Sequence, residues 1–389
     1  MKPGIKNLII KFRSILNFIN NITPKKKNRI VLYSNLGFRD NVEALYRYLV
    51  KHKYNLNYQI ICSTDEWKKY KKLKQLDNVK FVDCYTGVYY YLTSKYFFYC
   101  FGKYPIIPSK RQCVINLWHG MPLKRIGKLE KGEEETMQNY FTYVLATSEF
   151  FKRYLFKAFG CNMEQIIISG LPRNDDLFNT DIDIKNYFSL PLDCKTICYM
   201  PTFRKSERIG LNNYTIDNCL YEKLKTDEIL KILNETLKKF NIFMFIKPHP
   251  MDDFNENTIN NFDNLIFLNE KKLNEKNLNT YQFLGNVDAL ITDYSSVYFD
   301  YLLLDKPIGF IIDDIESYKT IRGFIVDEPE KIMPGHKIKT LNDLFIFIRD
   351  LKKGTDAFKL EREILNNLVN DYKGAKSTAN LLEILQIKN

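Results

Sequence analysis

The sequence predicts an α/β protein built from two doubly wound parallel-sheet domains that face a cleft, preceded by a basic amphipathic helix. Three observations carry this. Short apolar runs alternate with helix-period stretches almost throughout, the pattern of strand–helix–strand units with a parallel sheet. The alternation lapses at about 172–193, in a stretch rich in Asp, Asn and Pro, and then restarts. With 389 residues, 45% apolar and 27% charged, the chain has the length of two or three domains and the composition of a folded globular protein. Disorder, collagen-like repeats, a coiled coil and a small disulfide scaffold are excluded as the main architecture.

The first element is the N-terminal segment, 1–28. Ile5, Leu8, Ile9, Phe12, Ile15, Leu16 and Ile19 recur at three-four spacing, interrupted by Lys2, Lys6, Lys11 and Arg13. No apolar block is long enough for a membrane span or a secretory signal. The net charge of +12 is concentrated here: residues 1–30 hold eight basic and no acidic groups, whereas the other 359 hold 50 basic and 46 acidic. An amphipathic helix followed by Pro24-Lys25-Lys26-Lys27 suits an anionic membrane surface; the alternative is a helix docked on the protein's own core. A nucleic-acid partner is disfavoured, because the folded body is nearly neutral.

The first domain, 29–178, has strand candidates at 29–34, 58–63, 79–82, 96–100, 113–118 and 143–146, with helical stretches such as 41–51 and 66–76 between them. The second, 190–370, has strands at 196–200, 242–247, 265–268, 289–292 and 308–312, and helices at 222–240, 295–304, 341–353 and about 358–370. A terminal helix at about 375–387 lies in the last segment, 371–389. The eight cysteines, at 62, 84, 100, 113, 161, 194, 198 and 219, form no CxxC pair and read as buried free thiols.

Doubly wound sheets bind ligands at the carboxyl ends of their strands, so the strand ends are where chemistry is sought. His119 follows the strand at 113–118 in Trp118-His119-Gly120-Met121-Pro122-Leu123-Lys124, where an imidazole can take a proton from a hydroxyl. His249 ends another strand in Lys247-Pro248-His249-Pro250, where a cation and an imidazole suit a phosphate. Thr292-Asp293-Tyr294-Ser295-Ser296 leads a buried strand into a helix whose first N–H groups and Ser hydroxyls form an anion site, with Asp300 one turn on. Thr202-Phe203-Arg204 and Gly170-Leu171-Pro172-Arg173 place arginines at two more element ends. Each stretch also has a plain structural reading: a histidine satisfied in a turn, an ordinary helix cap, a solvated arginine. His52 reads as solvated and His336 as a loop residue. There is no P-loop, GxGxxG or Gly-x-Ser-x-Gly, and Asp181-Ile182-Asp183 follows no strand. No metal or cofactor is expected.

Taken together and in this order, the five stretches resemble the CDP-glycerol glycerophosphotransferases of teichoic acid and capsule synthesis. Arg322-Gly323-Phe324 and Met333-Pro334-Gly335 also look like that family, and the likeness spans about 28–385. The resemblance implies a GT-B fold of two Rossmann-like domains, with the terminal helix in 371–389 crossing back to the first, and peripheral attachment to the cytoplasmic membrane face. It implies transfer of glycerol phosphate from CDP-glycerol to a hydroxyl of a lipid-linked saccharide or polyol-phosphate acceptor, with CMP leaving. His119 would be the general base, with His249 the second catalytic candidate. Gly120, Met121, Pro122, Leu123 and Arg173 would line the first-domain side of the cleft, with Lys124 beside them. Thr202, Phe203, Arg204, Lys247, Pro248, Thr292, Asp293, Ser295, Ser296 and Asp300 would hold CDP-glycerol from the second domain. Met121 replaces a frequent Thr and His336 a frequent Pro, which puts the acceptor or polyol in question more than the chemistry. The lack of a long N-terminal extension leans towards a primase or short-chain transferase. A CDP-ribitol transferase, a GT-B glycosyltransferase with another donor, and a non-catalytic membrane scaffold are the competing readings.

Overall fold

The computed structural model describes residues 3–72, 76–130, 139–179, 181–202, 219–249, 252 and 254–389, with side chains from Arg13 onward. They form two compact units: unit 1 is Met1–Gly120, Gly127–Asp175 and Asp371–Asn389, and unit 2 is Met121–Ile126 and Asp176–Asn370.

Unit 1 is built on seven strands: β1 (Lys26–Ser34), β2 (Gln59–Thr64), β3 (Val79–Val82), β4 (Ser94–Tyr99), β5 (Cys113–Asn116), β6 (Tyr143–Ala146) and β7 (Ile166–Ile168). They form one parallel sheet in the order β3-β2-β1-β4-β5-β6-β7. Central β1 is covered on both faces, so Ile30, Val31 and Leu32 run on without polar alternation and are fully buried. The order reverses between β1 and β4, which opens a crevice beyond their carboxyl ends. β7 is a three-residue edge strand that the sequence pattern passes over; it is recruited by pairing with β6, Ala146 opposite Ile168.

The helix α1 (Pro3–Ile22) docks on unit 1 through polar groups. Fully buried Asn20 donates to Ile107 O at 2.9 Å and Gln112 Oε1 at 2.7 Å, and Asn17 Oδ1 accepts from Ile107 N at 2.9 Å. Ile15, Phe18, Ile19 and Ile22 stay exposed, Phe18 at 65%. The segment Asp371–Asn389 is also part of unit 1. The first N–H groups of its helix Ser377–Ile384 donate to Asp175, at 2.7 Å from Ser377 and 2.9 Å from Thr378. Burial pushes the Asp175 carboxyl above the usual range.

Unit 2 carries β8 (Lys195–Met200), β9 (Ile242–Ile246), β10 (Leu265–Phe267), β11 (Ala289–Thr292), β12 (Ile308–Ile311) and β13 (His336–Ile338). The sheet is again parallel, ordered β10-β9-β8-β11-β12-β13, with its reversal between β8 and β11. The helix Asp227–Phe240 buries Leu230, Leu233 and Leu237 on one stripe against this sheet. The stretch read as one helix at 222–240 is two, Leu220–Lys223 and Asp227–Phe240, because Thr226 takes an extended N-cap conformation between them.

His336 is not a loop residue. It opens β13, opposite Gly309, with its ring against Phe347 at 5.4 Å and Phe358 at 5.1 Å. Burial lowers its pKa, opposed by Asp350 at 3.9 Å. Its strand carries two polar residues in three and has no apolar pattern to announce it. Beside it, a Cβ on Gly335 would lie 2.1 Å from the Ile308 carbonyl oxygen. Gly335→Ala is therefore expected to lower unfolding free energy by roughly 1–3 kcal/mol in urea titration. Gly285→Ala should do the same through the Leu177 carbonyl, also 2.2 Å from an added Cβ.

Candidate active site

In unit 1 the chain leaves β5 through a strained turn. Trp118 has φ 57°, the left-handed region that a bulky residue enters only when held there. Three groups hold it. Asn116 Oδ1 accepts from Trp118 N at 3.0 Å. Asn41 Nδ2 and Cys100 Sγ both donate to Trp118 O at 2.9 Å. Burial raises the Cys100 thiol well above its ordinary pKa, with Asp40 adding to the effect, so it remains a protonated donor.

The turn puts the His119 side chain on the surface while its backbone stays anchored. Arg173 Nη1 donates to His119 O at 3.0 Å and pairs with Asp40 Oδ2 at 2.7 Å. Arg173 N donates to Asn41 Oδ1 at 3.0 Å. The Arg173 side chain is 6% exposed and that of Asp40 17%, so this ion pair is largely out of water. Arg173 thus braces the turn from inside and does not project as a solvated fork. Asp40, Asn41 and Cys100 were missed from the sequence. They lie 19–79 positions from His119, and their one local signal is that they follow β1 and β4, the strands flanking the sheet reversal.

The stretch after Gly120 parts from His119. Met121–Ile126 is grouped with unit 2, where Lys124 bridges Phe324, Ile325 N donates to Leu123 O at 3.0 Å, and Arg125 N to Gly323 O at 3.2 Å. The expectation that residues 119–123 share one side is revised accordingly: Met121, Pro122 and Leu123 are buried and grouped with unit 2, where Leu123, Lys124 and Arg125 pair with 323–325.

In unit 2, Asp293 leaves β11 at the sheet reversal and is 1% exposed. Its carboxylate accepts from Thr202 N at 2.9 and 3.0 Å and from Thr202 Oγ1 at 2.5 Å. Thr292 Oγ1 donates to Met200 O at 2.7 Å. Both side chains are therefore turned onto the end of β8, which they position, and away from solvent. Asp300 is likewise inward: it is 1% exposed and accepts from Tyr281 OH at 2.6 Å. Every residue of its helix, Val297–Tyr301, is buried, so sharing a face with Ser296 does not expose it. Ser295 and Ser296 remain partly exposed ahead of that helix, which runs five residues before a 3₁₀ turn.

Lys247 follows β9, is 9% exposed, and pairs with Glu270 Oε1 at 2.8 Å. Glu270 also accepts from Thr280 Oγ1 at 2.9 Å. His249 is exposed two residues on, past half-buried Pro248, and its carbonyl accepts from Asp252 N at 2.8 Å. Phe203 and Arg204 lie outside the described residues. Asp183 of the Asp-x-Asp stretch caps the short helix Ile184–Tyr187, accepting from Lys185 N and Asn186 N at 3.1 Å each.

A family model described as CDP-glycerol:poly(glycerophosphate) glycerophosphotransferase matches residues 15–386. The chain is 28% identical over 375 residues to a teichoic acid poly(glycerol phosphate) polymerase of Bacillus spizizenii, covering 89% of each. It is 29% identical over 352 residues to a teichoic acid poly(ribitol-phosphate) polymerase of the same organism, where it covers 85% of this chain but only 52% of that protein. Among solved structures, the wall teichoic acid polymerase TagF superposes with TM-score 0.74 at 22% identity, covering 98% of this chain and 95% of that one, which shows the shared fold.

Removing one partner of a buried ion pair strands the other charge. Arg173→Ala is expected to destabilise the protein by about 3–5 kcal/mol in denaturant unfolding. The Asp40→Ala/Arg173→Ala double variant should cost at least about 1 kcal/mol less than the sum of the singles, and additivity would contradict the pairing.

Proposed function

The chain belongs to the CDP-glycerol:poly(glycerophosphate) glycerophosphotransferase family, and from that premise we propose that it transfers glycerol phosphate from CDP-glycerol to a hydroxyl of a membrane-linked acceptor, releasing CMP. One observation carries the assignment of the base: an exposed histidine at the carboxyl end of β5 whose backbone is fastened by the buried Arg173–Asp40 pair. A general base must be accessible to its substrate yet fixed in direction, and this turn meets both needs.

In this reading the acceptor hydroxyl attacks the β-phosphorus as His119 takes its proton. The new P–O bond forms, the bond to CMP breaks, and CMP leaves with the bonding electron pair. Charge gathers on the leaving phosphate, where positioned cations and dipoles act most strongly. Lys247, Arg204, His249 and the N–H groups after Ser295 take this role. Thr202, Phe203 and Pro248 shape the nucleotide's surroundings, and Asp293, Thr292 and Asp300 support them from within. Lys247 would meet the phosphate in competition with Glu270, so phosphate binding displaces or tightens an existing ion pair.

The same reading places the protein peripherally on the cytoplasmic membrane face. Support comes from α1, which packs through Asn17 and Asn20 and leaves Ile15, Phe18, Ile19 and Ile22 outward beside a basic segment. Among the described residues no helix is long and apolar enough to cross a membrane.

The test is CMP release from CDP-glycerol with a membrane-lipid acceptor extract. His119→Ala is expected to lower it by roughly 10²–10⁴-fold. The variant should still gain melting temperature with CDP-glycerol, because the donor is held elsewhere. Release with CDP-ribitol alone would move the donor and keep the mechanism. For the membrane, the combined substitutions Ile15→Ser, Phe18→Ser and Ile19→Ser should reduce co-sedimentation with anionic vesicles by roughly tenfold or more, at unchanged melting temperature.

A further inference from the structure

Beside His119, unit 1 contains a cavity of about 220 Å³ beyond the carboxyl ends of β4 and β5. Its walls are largely aromatic: Phe101, Trp118, Tyr140 and Phe159 line it, with Lys103 and His119. The His119 ring stands 4.0 Å from that of Trp118 and 5.4 Å from Phe101, with which it stacks.

Cations gather on the aromatic walls. Lys103 lies over the Tyr140 ring at 5.2 Å and Arg13 of α1 at 5.3 Å, where its guanidinium also donates to Tyr140 OH. Arg39 lies over Phe101 at 5.4 Å. Among the described residues lining the cavity there is no carboxylate. The Trp118 Nε1–H is buried and has no hydrogen-bond partner, a donor left for a ligand. Partial desolvation lowers the Lys103 pKa, so an anion beside it restores what burial withdraws.

These features define a ligand class. Ring faces take C–H surfaces of a polyol or sugar, the cations take a phosphate, and the indole N–H takes an oxygen. The volume is below the range of pockets for drug-sized ligands and suits one small unit. We propose that this cavity is an acceptor subsite that receives the terminal polyol-phosphate or sugar-phosphate unit of the acceptor, its phosphate drawn to Lys103 and Arg13 and its hydroxyl placed at His119. This rests on His119 being the base of the proposed transfer. It adds a reason for Arg13 to stand against Tyr140, a residue of the cavity wall: the helix proposed to meet the membrane also supplies a cation to the group arriving from it.

Trp118 is one of two tryptophans, so the Trp67→Phe variant leaves a single fluorophore inside the cavity. In that background, glycerol 3-phosphate is expected to give a saturable change in fluorescence. Adding Lys103→Met should weaken it roughly tenfold, the scale of one charge-assisted hydrogen bond, and Lys103→Arg should restore it. Glycerol alone should give no saturable change. In turnover, Lys103→Met should raise KM for the acceptor roughly tenfold and leave KM for CDP-glycerol unchanged. No saturable response to glycerol 3-phosphate, the same response to CMP, or a rise confined to the donor KM would each overturn the subsite. Fluorescence binding without CMP release from CDP-glycerol would instead keep the subsite and reject the donor assignment.

Discussion

The buried pair between Arg173 and Asp40 is the constraint on which the turn that carries His119 depends. A peptide carbonyl at a strand end has no obligatory partner, and a turn held only by water would let His119 sample many directions. Arg173 gives that carbonyl a charged donor that cannot be deprotonated, and Asp40 fixes the donor. Together with Asn41, Asn116 and Cys100, the pair keeps Trp118 in a conformation its side chain disfavours. The strain is maintained because several independent bonds would have to break together to release it.

Both units solve a common problem in a similar way. Each parallel sheet reverses its strand order once, and the diverging loops leave a crevice there. In each, a carboxylate next to the reversal is spent on protein groups: Asp40 on Arg173 in unit 1, and Asp293 on Thr202 in unit 2. The polar residues that look most like ligand contacts in the sequence are therefore often the supports, and the groups beside them stay at the surface. Thr292, Asp293 and Asp300 belong to the first kind; His119, His249, Ser295 and Ser296 belong to the second.

The N-terminal helix inverts the usual arrangement of an amphipathic segment. Asn17 and Asn20 are satisfied against Ile107 and Gln112, and Ile15, Phe18, Ile19 and Ile22 face outward. The helix docks on its own domain, one of the two alternatives that the sequence leaves open, and does so through polar groups. The helix is docked through polar bonds, which leaves its hydrophobic face available and fixes that face relative to the sheet.

Periodicity and strand-end chemistry in the sequence were enough to establish the two parallel sheets, most of their strands and the positions of His119, His249 and Lys247. These depend on local patterns, since a doubly covered strand must be apolar without interruption and the turn that ends it shows as a run of Gly, Pro and polar residues. The short edge strands β7 and β13 escaped because three residues carry too little pattern, and pairing with a neighbour made them strands. Only the tertiary structure decided which polar groups face inward, which partners brace His119, and that Leu123–Arg125 pair with 323–325. Those outcomes depend on groups up to about two hundred positions apart meeting across the fold, and a hydrogen bond or an ion pair leaves no periodic trace in the chain that makes it.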